Sequence, residues 1–160
     1  MKKLFIAILC IMFLILTLSG CFGLGGSGDW IYPLPNGYIV LRVNAVDIII
    51  GKQEDAYSVD EVVPRHVAGI SFNERFIGVE RLPIEGGIDA NYHEAMTLIE
   101  NRDIKSFEYY LIDTKTEIVF GPLDAASFAA ACEQNGVGDL CEWIDTASIR
   151  WNSPEVQTYG

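Results

Sequence analysis

The sequence predicts an α+β domain, in which an antiparallel β-meander sheet of about six strands is covered by one or two helices. Three observations predict it. Short segments rich in β-branched and aromatic residues come in pairs around turn residues, as in antiparallel hairpins. Two other segments place apolar residues at helical spacing. Residues 30–160 have the usual length of a single domain, and no linker or low-complexity run divides them.

The strands are predicted from their composition and from the turns that bound them. Residues 35–37 read Pro-Asn-Gly, a tight-turn signal. Residues 73–75 and 113–116 each separate the two strands of a further hairpin. The hairpins recur too irregularly for the blades of a propeller, so we expect one sheet. Its predicted strands are 38–43, 47–50, 67–72, 76–82, 107–112 and 117–120.

Two helices are predicted to cover one face of this sheet. The first lies around residues 91–99, where apolar side chains recur at i, i+3, i+4 and i+7: Tyr92, Ala95, Met96 and Ile99. The second, C-terminal helix covers about 124–135. Asp124 is a good N-cap, and Gly136 suits the position just after the helix. Its apolar stripe consists of Phe128, Ala131 and Cys132.

The N-terminus has the pattern of an export signal. Lys2 and Lys3 precede an apolar run, residues 4–18, that as a helix would span roughly 22 Å. A bilayer core needs about 30 Å. A charged start, a short apolar middle and small residues before a cleavage site are typical of a signal peptide. The alternative is a short transmembrane helix.

The end of this segment, Leu18-Ser19-Gly20-Cys21, resembles the lipobox of bacterial lipoproteins. The resemblance implies cleavage before Cys21 and acylation of that residue. We therefore expect residues 1–20 to be a lipoprotein signal peptide, 21–29 a lipidated Cys with a Gly-rich tether, and 30–160 one exported domain. Lipid on Cys21 would hold the protein on the bacterial cell membrane or outer membrane, with the domain on the periplasmic or extracellular side.

The tether contains a literal G-x-G-x-x-G at Gly23, Gly25 and Gly28. A dinucleotide site needs this motif between a buried strand and a helix. Here a signal peptide precedes it, and Pro33 and Pro35 follow closely, which prevents a helix of that kind. We expect a flexible spacer and no nucleotide cofactor.

The charge of the chain restricts its partners. The formal net charge is −11. Cleavage before Cys21 would leave nine Lys and Arg against 22 acids, or −13. Nucleic-acid binding depends on Lys and Arg that neutralise phosphates, so this balance excludes nucleic acid as the expected partner. The same charge repels the domain from an anionic bilayer.

Two cysteines remain for the exported domain, because Cys10 lies in the signal and Cys21 takes the lipid. In an exported domain the pair Cys132 and Cys141 suggests a disulfide. Two free thiols are the alternative. A nucleophilic Cys would need a His as its base, and the sequence does not place either His66 or His93 beside it.

No motif of catalysis or metal binding is complete. His93-Glu94 begins like H-E-x-x-H, but Thr97 replaces the second His. We expect no metal, no catalytic residue and packing roles for most aromatic residues, and we expect most acids to form a solvated face. The acids in question are Asp29, Asp47, Glu54, Asp55, Asp60, Glu61, Glu74, Glu80, Glu85 and Asp89.

A second resemblance lies in the C-terminal half. The run Tyr109-Tyr110-Leu111-Ile112-Asp113-Thr114-Lys115-Thr116, followed by Gly121-Pro122-Leu123 and a helix with Phe128, resembles small bacterial lipoproteins that form a domain-of-unknown-function family. The resemblance implies an exported lipoprotein and supplies no activity.

Taken together, these patterns predict a lipid-anchored, non-enzymatic domain that acts through an envelope protein partner. Two alternatives stay open. One is an immunity or inhibitor-type lipoprotein that neutralises a basic toxin or enzyme, for which complementary charge would speed the encounter. The other is an envelope hydrolase that uses an acid pair or a Cys–His site. Exposed aromatic side chains are where we expect a partner to bind.

Overall fold

The computed structural model describes residues 30–44, 47–55, 58–84, 97, 107–140, 142–149 and 154–158. Within these residues the chain forms ten strands and the α-helix α1 (Ala125–Gln134), and Thr97 is also helical. The strands are β1 (Trp30–Pro33), β2 (Tyr38–Arg42), β3 (Ile48–Gln53), β4 (Val59–Val63), β5 (Val67–Phe72), β6 (Phe76–Arg81), β7 (Glu108–Asp113), β8 (Ile118–Leu123), β9 (Ile144–Asp145) and β10 (Gln157–Thr158).

The strands form two antiparallel sheets of five. Sheet 1 has the order β10-β1-β2-β3-β4, and sheet 2 has the order β8-β7-β6-β5-β9. Neighbouring strands in the middle of each sheet are consecutive in sequence. Short turns join β1 to β2, β5 to β6 and β7 to β8, whereas residues 82–107 separate β6 from β7. The two-residue strands β9 and β10 come from the C-terminal part of the chain and add one edge to each sheet.

The first hairpin shows how local sequence sets the register. Asn36 has φ 58° and ψ 36°, and Gly37 has φ 81°. Two successive positive φ angles define a type I′ turn, which Asn-Gly adopts at low steric cost. The Tyr38 N–H donates to the Pro35 carbonyl and closes the turn. The predicted tight turn is confirmed.

The core lies between the two sheets. Inward-facing side chains of both sheets belong to one buried cluster. From sheet 1 it includes Trp30, Tyr38, Val40, Ile50 and Val63, and from sheet 2 Val67, Ile70, Ile77, Val79, Tyr110 and Ile112. Burial of each such aliphatic side chain contributes about 1.5–3 kcal/mol, so this sandwich interface is the main source of stability.

The second face of sheet 2 is covered by α1 and by the segment that leads into β9. The Asp124 side chain accepts a hydrogen bond from the Ser127 N–H at 2.7 Å, which makes it the N-cap of the helix. Phe128 reaches the sheet over Gly78. The predicted C-terminal helix, its cap and its apolar stripe are therefore confirmed.

The α+β class and the antiparallel pairing are confirmed, whereas the number of strands and sheets differs from the prediction. The prediction missed β1, β4, β9 and β10 and therefore gave one sheet. Pro33 and Pro35 at and just after the end of β1, and Asp60 and Glu61 in β4, are untypical of strands, so composition did not indicate these two strands. The strands β9 and β10 have only two residues each, which is too short for a recognisable pattern. The first predicted helix lies outside the described residues except for Thr97.

Candidate functional site

Large apolar side chains are exposed at four positions among the described residues: Val43, Ile118, Val119 and Trp143. Ile118 and Val119 are 50% and 39% exposed, and they begin β8 at the edge of sheet 2. Trp143 is 42% exposed and lies on the helix-covered face of the same sheet. Val43, which is 49% exposed, stands apart in the turn between β2 and β3.

Helix α1 contacts both strand β8 and Trp143. It packs against both β7 and β8. Its Phe128 ring lies 6.1 Å from the Trp143 ring, measured between centroids, and 5.4 Å from the Tyr109 ring. Ile118 pairs with Asp113 and so lies on the face of sheet 2 that carries Gly78 and Trp143, whereas Val119 pairs with Ile112 and lies on the opposite face. We call the exposed residues Ile118, Val119 and Trp143, together with α1, the β8–Trp143 surface.

Trp143 is held in place by the residues that follow it. Ile144 pairs with Ile70 across β9 and β5. The buried Thr146 hydroxyl donates to the Val67 carbonyl at 2.9 Å. These contacts fix the indole over Gly78, where an added Cβ would lie 3.4 Å from it and 3.1 Å from the Phe128 ring. The exposed indole therefore rests on a rigid support.

The chain segment from β8 to β9 carries acids and no cation. Residues 117–149 contain no Lys, Arg or His. Their six acids are Glu117, Asp124, Glu133, Asp139, Glu142 and Asp145. Hydrogen bonds from the backbone and side chain of Ser127 lower the pKa of Asp124, so that acid stays ionised at neutral pH. An exposed apolar surface within an acidic stretch favours a ligand that is both apolar and basic.

The start of β8 is fixed by a network of turns. Arg75 contacts Asp113 at the end of β7 with two hydrogen bonds, Nε–Oδ1 at 3.0 Å and Nη2–Oδ2 at 2.6 Å. The Asn36 amide donates to the Thr114 hydroxyl at 2.7 Å, and that hydroxyl donates to the Arg75 carbonyl at 2.5 Å. Hydrogen bonds therefore connect the β1–β2 turn of sheet 1 with the β5–β6 and β7–β8 turns of sheet 2.

Charge at this end of the sandwich is locally compensated. The Arg75 guanidinium holds the pKa of the Asp113 carboxyl well below its usual range, and hydrogen bonds from Thr116 and Lys115 add to the effect. Lys52 bonds to Glu117, and this contact raises the pKa of the lysine. Burial raises the pKa of the neighbouring Tyr38 phenol. The pKa shifts of Asp113 and Lys52 thus come from contacts that hold strands and turns together, and the shift of Tyr38 comes from its burial.

Cys132, half-buried on α1, is the only member of the predicted disulfide that falls within the described residues. Burial raises the pKa of its thiol. Its expected partner, Cys141, lies outside the described residues, as does the expected lipidation site Cys21. Both assignments remain predictions.

His66 lies just before β5, as expected from its position after Pro64-Arg65, and it is buried with φ 74°. His93 lies outside the described residues. Asp47 contradicts the expected solvated face of acids. It is buried, and its Oδ2 accepts a hydrogen bond from the Asn44 amide at 2.8 Å.

Glu80 is half-buried beside Gly69, whereas the remaining described acids of the predicted solvated face follow the prediction. Five of the acids are exposed: Glu54, Asp55, Asp60, Glu61 and Glu74. Trp30 and Tyr38 are core residues, as expected. Among the described residues, no three His, Cys, Asp or Glu side chains are arranged to hold a metal ion. No helix in the same part of the chain has the length and apolarity needed to cross a membrane.

Sequence reasoning missed Ile118 and Val119 as surface residues, because it took 117–120 as an ordinary strand. It named exposed aromatic residues as the place for a partner, and Trp143 fits that description. A sequence signal that was not used is the run of 33 residues, 117–149, without a cation.

The fold and surface define an antiparallel two-sheet domain with one covering helix and an exposed acidic and apolar side. The family described as "Protein of unknown function (DUF3997)" matches residues 35–145, and the chain belongs to this family. The matched range runs from the first hairpin to β9 and includes the β8–Trp143 surface. Searches of curated proteins and of solved structures gave no match.

Proposed function

We propose that this protein is a lipid-anchored module of the bacterial cell envelope that binds a protein partner and is not itself an enzyme. The observation that carries the proposal is the exposure of Ile118 and Val119 at the β8 edge and of Trp143 on the helix-covered face of the same sheet. Exposed apolar side chains on a rigid support are typical of protein-binding sites. The resemblance of Leu18-Ser19-Gly20-Cys21 to a lipobox supports the anchor.

The fixed position of the Trp143 side chain supports a role in binding. The Trp143 indole packs edge-on against Tyr109 and at a tilt against Phe128, and the next residue pairs in β9. A preorganised aromatic side chain loses little conformational entropy when a partner covers it. Tryptophan is also among the residues that contribute most to binding energy at interfaces.

Photo-crosslinking tests the proposed surface. A photoreactive amino acid replaces Ile118, Trp143 or Val43 in the full chain, expressed in its native cells. We expect positions 118 and 143 to crosslink to the same protein, and position 43, equally exposed but elsewhere, to give no such product. Absence of a shared product at 118 and 143, or the same product at 43, would contradict the proposal.

The purified partner then allows a quantitative test. Val119→Lys and Val43→Lys add the same charge at two exposed valines, so they form a matched pair. We expect Val119→Lys to weaken binding by about tenfold or more, since it inserts a charge into an apolar contact. Val43→Lys should change the Kd by less than about twofold. Equal losses for the two variants would mean that only the overall charge matters.

The anchor has its own test. Replacing Cys21 by Ala removes the acylation site, and we expect the protein to move from the membrane fraction to the soluble fraction or to remain as an uncleaved precursor. Fractionation and intact mass of the full chain distinguish these results. A Cys21→Ala protein that is cleaved and still membrane-bound would refute the lipid anchor.

The inhibitor alternative is favoured by the same acidic stretch, residues 117–149, because a basic toxin or enzyme would complement it. This alternative requires that the partner have an activity that the protein inhibits. The crosslinked protein would have to carry an activity that the full chain abolishes at a one-to-one ratio, and Val119→Lys would have to restore that activity.

The hydrolase alternative receives less support. A Cys nucleophile needs a lowered pKa or an adjacent base. Burial instead raises the pKa of the Cys132 thiol. The strongly shifted carboxyl, Asp113, is engaged by Arg75 in the turn network.

A further inference from the structure

The two sheets present four edges among the described strands, and three of them are protected against pairing with another chain. The edges at β9 and β10 are each two residues long. The edge at β4 carries the exposed acids Asp60 and Glu61. Short strands and charged side chains are the devices by which proteins guard sheet edges.

The fourth edge, β8, lacks these devices in its first half. Ile118 and Val119 are exposed, and Phe120 follows them. Among the described strands only β7 pairs with β8, so within this part of the chain the other side of β8 presents unpaired backbone groups. An exposed apolar edge of this kind is a template for an added strand.

The side chains of β8 point alternately to the two faces of the sheet. Ile118 pairs with Asp113 and Val119 with Ile112, so the two exposed residues lie on opposite faces. An added strand would therefore find an apolar neighbour on each face. Pairing should end near Pro122, which has no N–H to donate. The available stretch fits an added segment of about three to five residues.

The charged residues near β8 indicate which kind of segment could pair with this edge. Glu117 and Asp124 lie directly before and after β8. Glu117 bonds to Lys52, yet it is 60% exposed. Lys52 and the exposed Lys115 offset the charge at Glu117, so the excess of acid lies further along, where residues 118–149 contain five acids and no Lys or Arg. A second copy of this acidic chain would bring like charges together, whereas a basic segment would be attracted.

We infer that the β8 edge accepts a basic, extended segment of the partner protein, which adds to sheet 2 as a sixth strand. The inference rests on the proposed function and specifies how its partner is recognised. Apolar residues of the segment contact Ile118 and Val119, and Lys or Arg residues lie towards Asp124. Main-chain hydrogen bonds supply the affinity, and the alternating side chains supply the specificity.

A random nine-residue peptide library displayed on phage, selected against the full chain, tests the inference. We expect enriched peptides to alternate apolar residues with Lys or Arg. The best peptides are then synthesised with and without N-methylation of alternate amides, which removes the strand-pairing donors and keeps the charge. Methylation of one of the two amide sets should weaken binding by about tenfold or more.

The same peptides are measured against the matched variants. Val119→Lys should lose at least about tenfold in affinity, and Val43→Lys should lose less than about twofold. Unenriched libraries, enriched peptides without basic residues, or equal effects of the two variants would overturn the inference. A dimer of the full chain that Val119→Lys dissociates would overturn it too, because a second copy would then occupy the edge.

These outcomes separate the inference from the proposed function. If positions 118 and 143 crosslink to one partner but N-methylation has no effect, the surface binds a protein without strand addition, and only the inference fails. If neither position crosslinks and no peptide is enriched, both fail.

Discussion

The Arg75 guanidinium and the Asp113 carboxylate form a two-point contact across the β6–β7 pair, with Nη2–Oδ2 at 2.6 Å. Asp113 is buried, and Arg75 also lies over the Phe76 ring at 4.7 Å. The pair thus joins the turn before β6 to the end of β7. It stabilises the hairpin that presents Ile118 and Val119.

Acid should weaken this contact. The folded-state pKa of Asp113 lies below its unfolded value, so its contribution to stability is present above about pH 4 and is lost as pH falls further. Asp113→Asn should therefore lower the Tm at pH 7 and have a smaller effect at pH 2.5. Thermal unfolding at both pH values measures this, with the exposed-acid variant Asp60→Asn as control. An Asp113→Asn effect that grows on acidification would refute the assignment.

The Asn36 side chain should stabilise the fold through its amide as well as through its turn conformation. It donates to the Glu74 carbonyl at 3.0 Å and to the Thr114 hydroxyl. Asn36→Gly keeps the positive φ and loses these hydrogen bonds, at a cost of about 1–3 kcal/mol. Asn36→Ala adds the strain of a positive φ and should cost about 1 kcal/mol more. Denaturant unfolding compares the two, and a neutral Asn36→Gly would show that the amide contacts contribute nothing.

The two-sheet core predicts a sharp contrast between two isoleucines. Ile77 is fully buried between the sheets, and Ile118 is half exposed. Ile77→Ala should cost about 2–5 kcal/mol, and Ile118→Ala less than about 1 kcal/mol. Equilibrium unfolding of the full chain provides both values. Similar losses at the two positions would mean that sheet 1 does not cover Ile77.

The packing of Trp143 on sheet 2 should require a glycine at position 78. A Cβ there would lie 3.1 Å from Phe128, 3.3 Å from Leu140 and 3.4 Å from Trp143. Gly78→Val should therefore displace the covering side chains and cost about 1–3 kcal/mol. Tryptophan fluorescence of this variant, compared with Gly78→Val in a Trp143→Phe background, isolates the signal of Trp143. An unchanged Trp143 signal would exclude the close packing.

The predicted disulfide between Cys132 and Cys141 would close a loop of about ten residues and contribute roughly 2.5–3 kcal/mol. We expect non-reduced protein to resist alkylation at both positions under denaturing conditions, and reduced protein to be alkylated at both. Peptide mass mapping measures this, and Cys132→Ser with Cys141→Ser serves as control. Alkylation of both residues without reductant would show two free thiols.

Elements defined by local chemistry were predictable from the sequence. The Asn36-Gly37 pair encodes its own turn, because few residues tolerate two positive φ angles. The C-terminal helix was predictable from the Asp124 cap and the stripe around Phe128. Each of these signals lies within a few consecutive residues, so no knowledge of distant pairing is needed.

The division into two sheets depends on distant pairings that no local pattern contains. Trp30 pairs with Thr158, and Ile70 pairs with Ile144. The candidate surface was missed for the same reason. The run Ile118-Val119-Phe120 has the composition of a buried strand, and its exposure follows from its place at the sheet edge, which the sequence alone does not reveal.

The position of β1 has a mechanical consequence. β1 begins at Trp30 and lies between β10 and β2. A pull on the chain before Trp30 acts along the length of this strand, so its hydrogen bonds to both neighbours are loaded in shear and must yield together. The domain would resist extraction from that end far better than if the anchor joined an edge strand that could be peeled away one bond at a time.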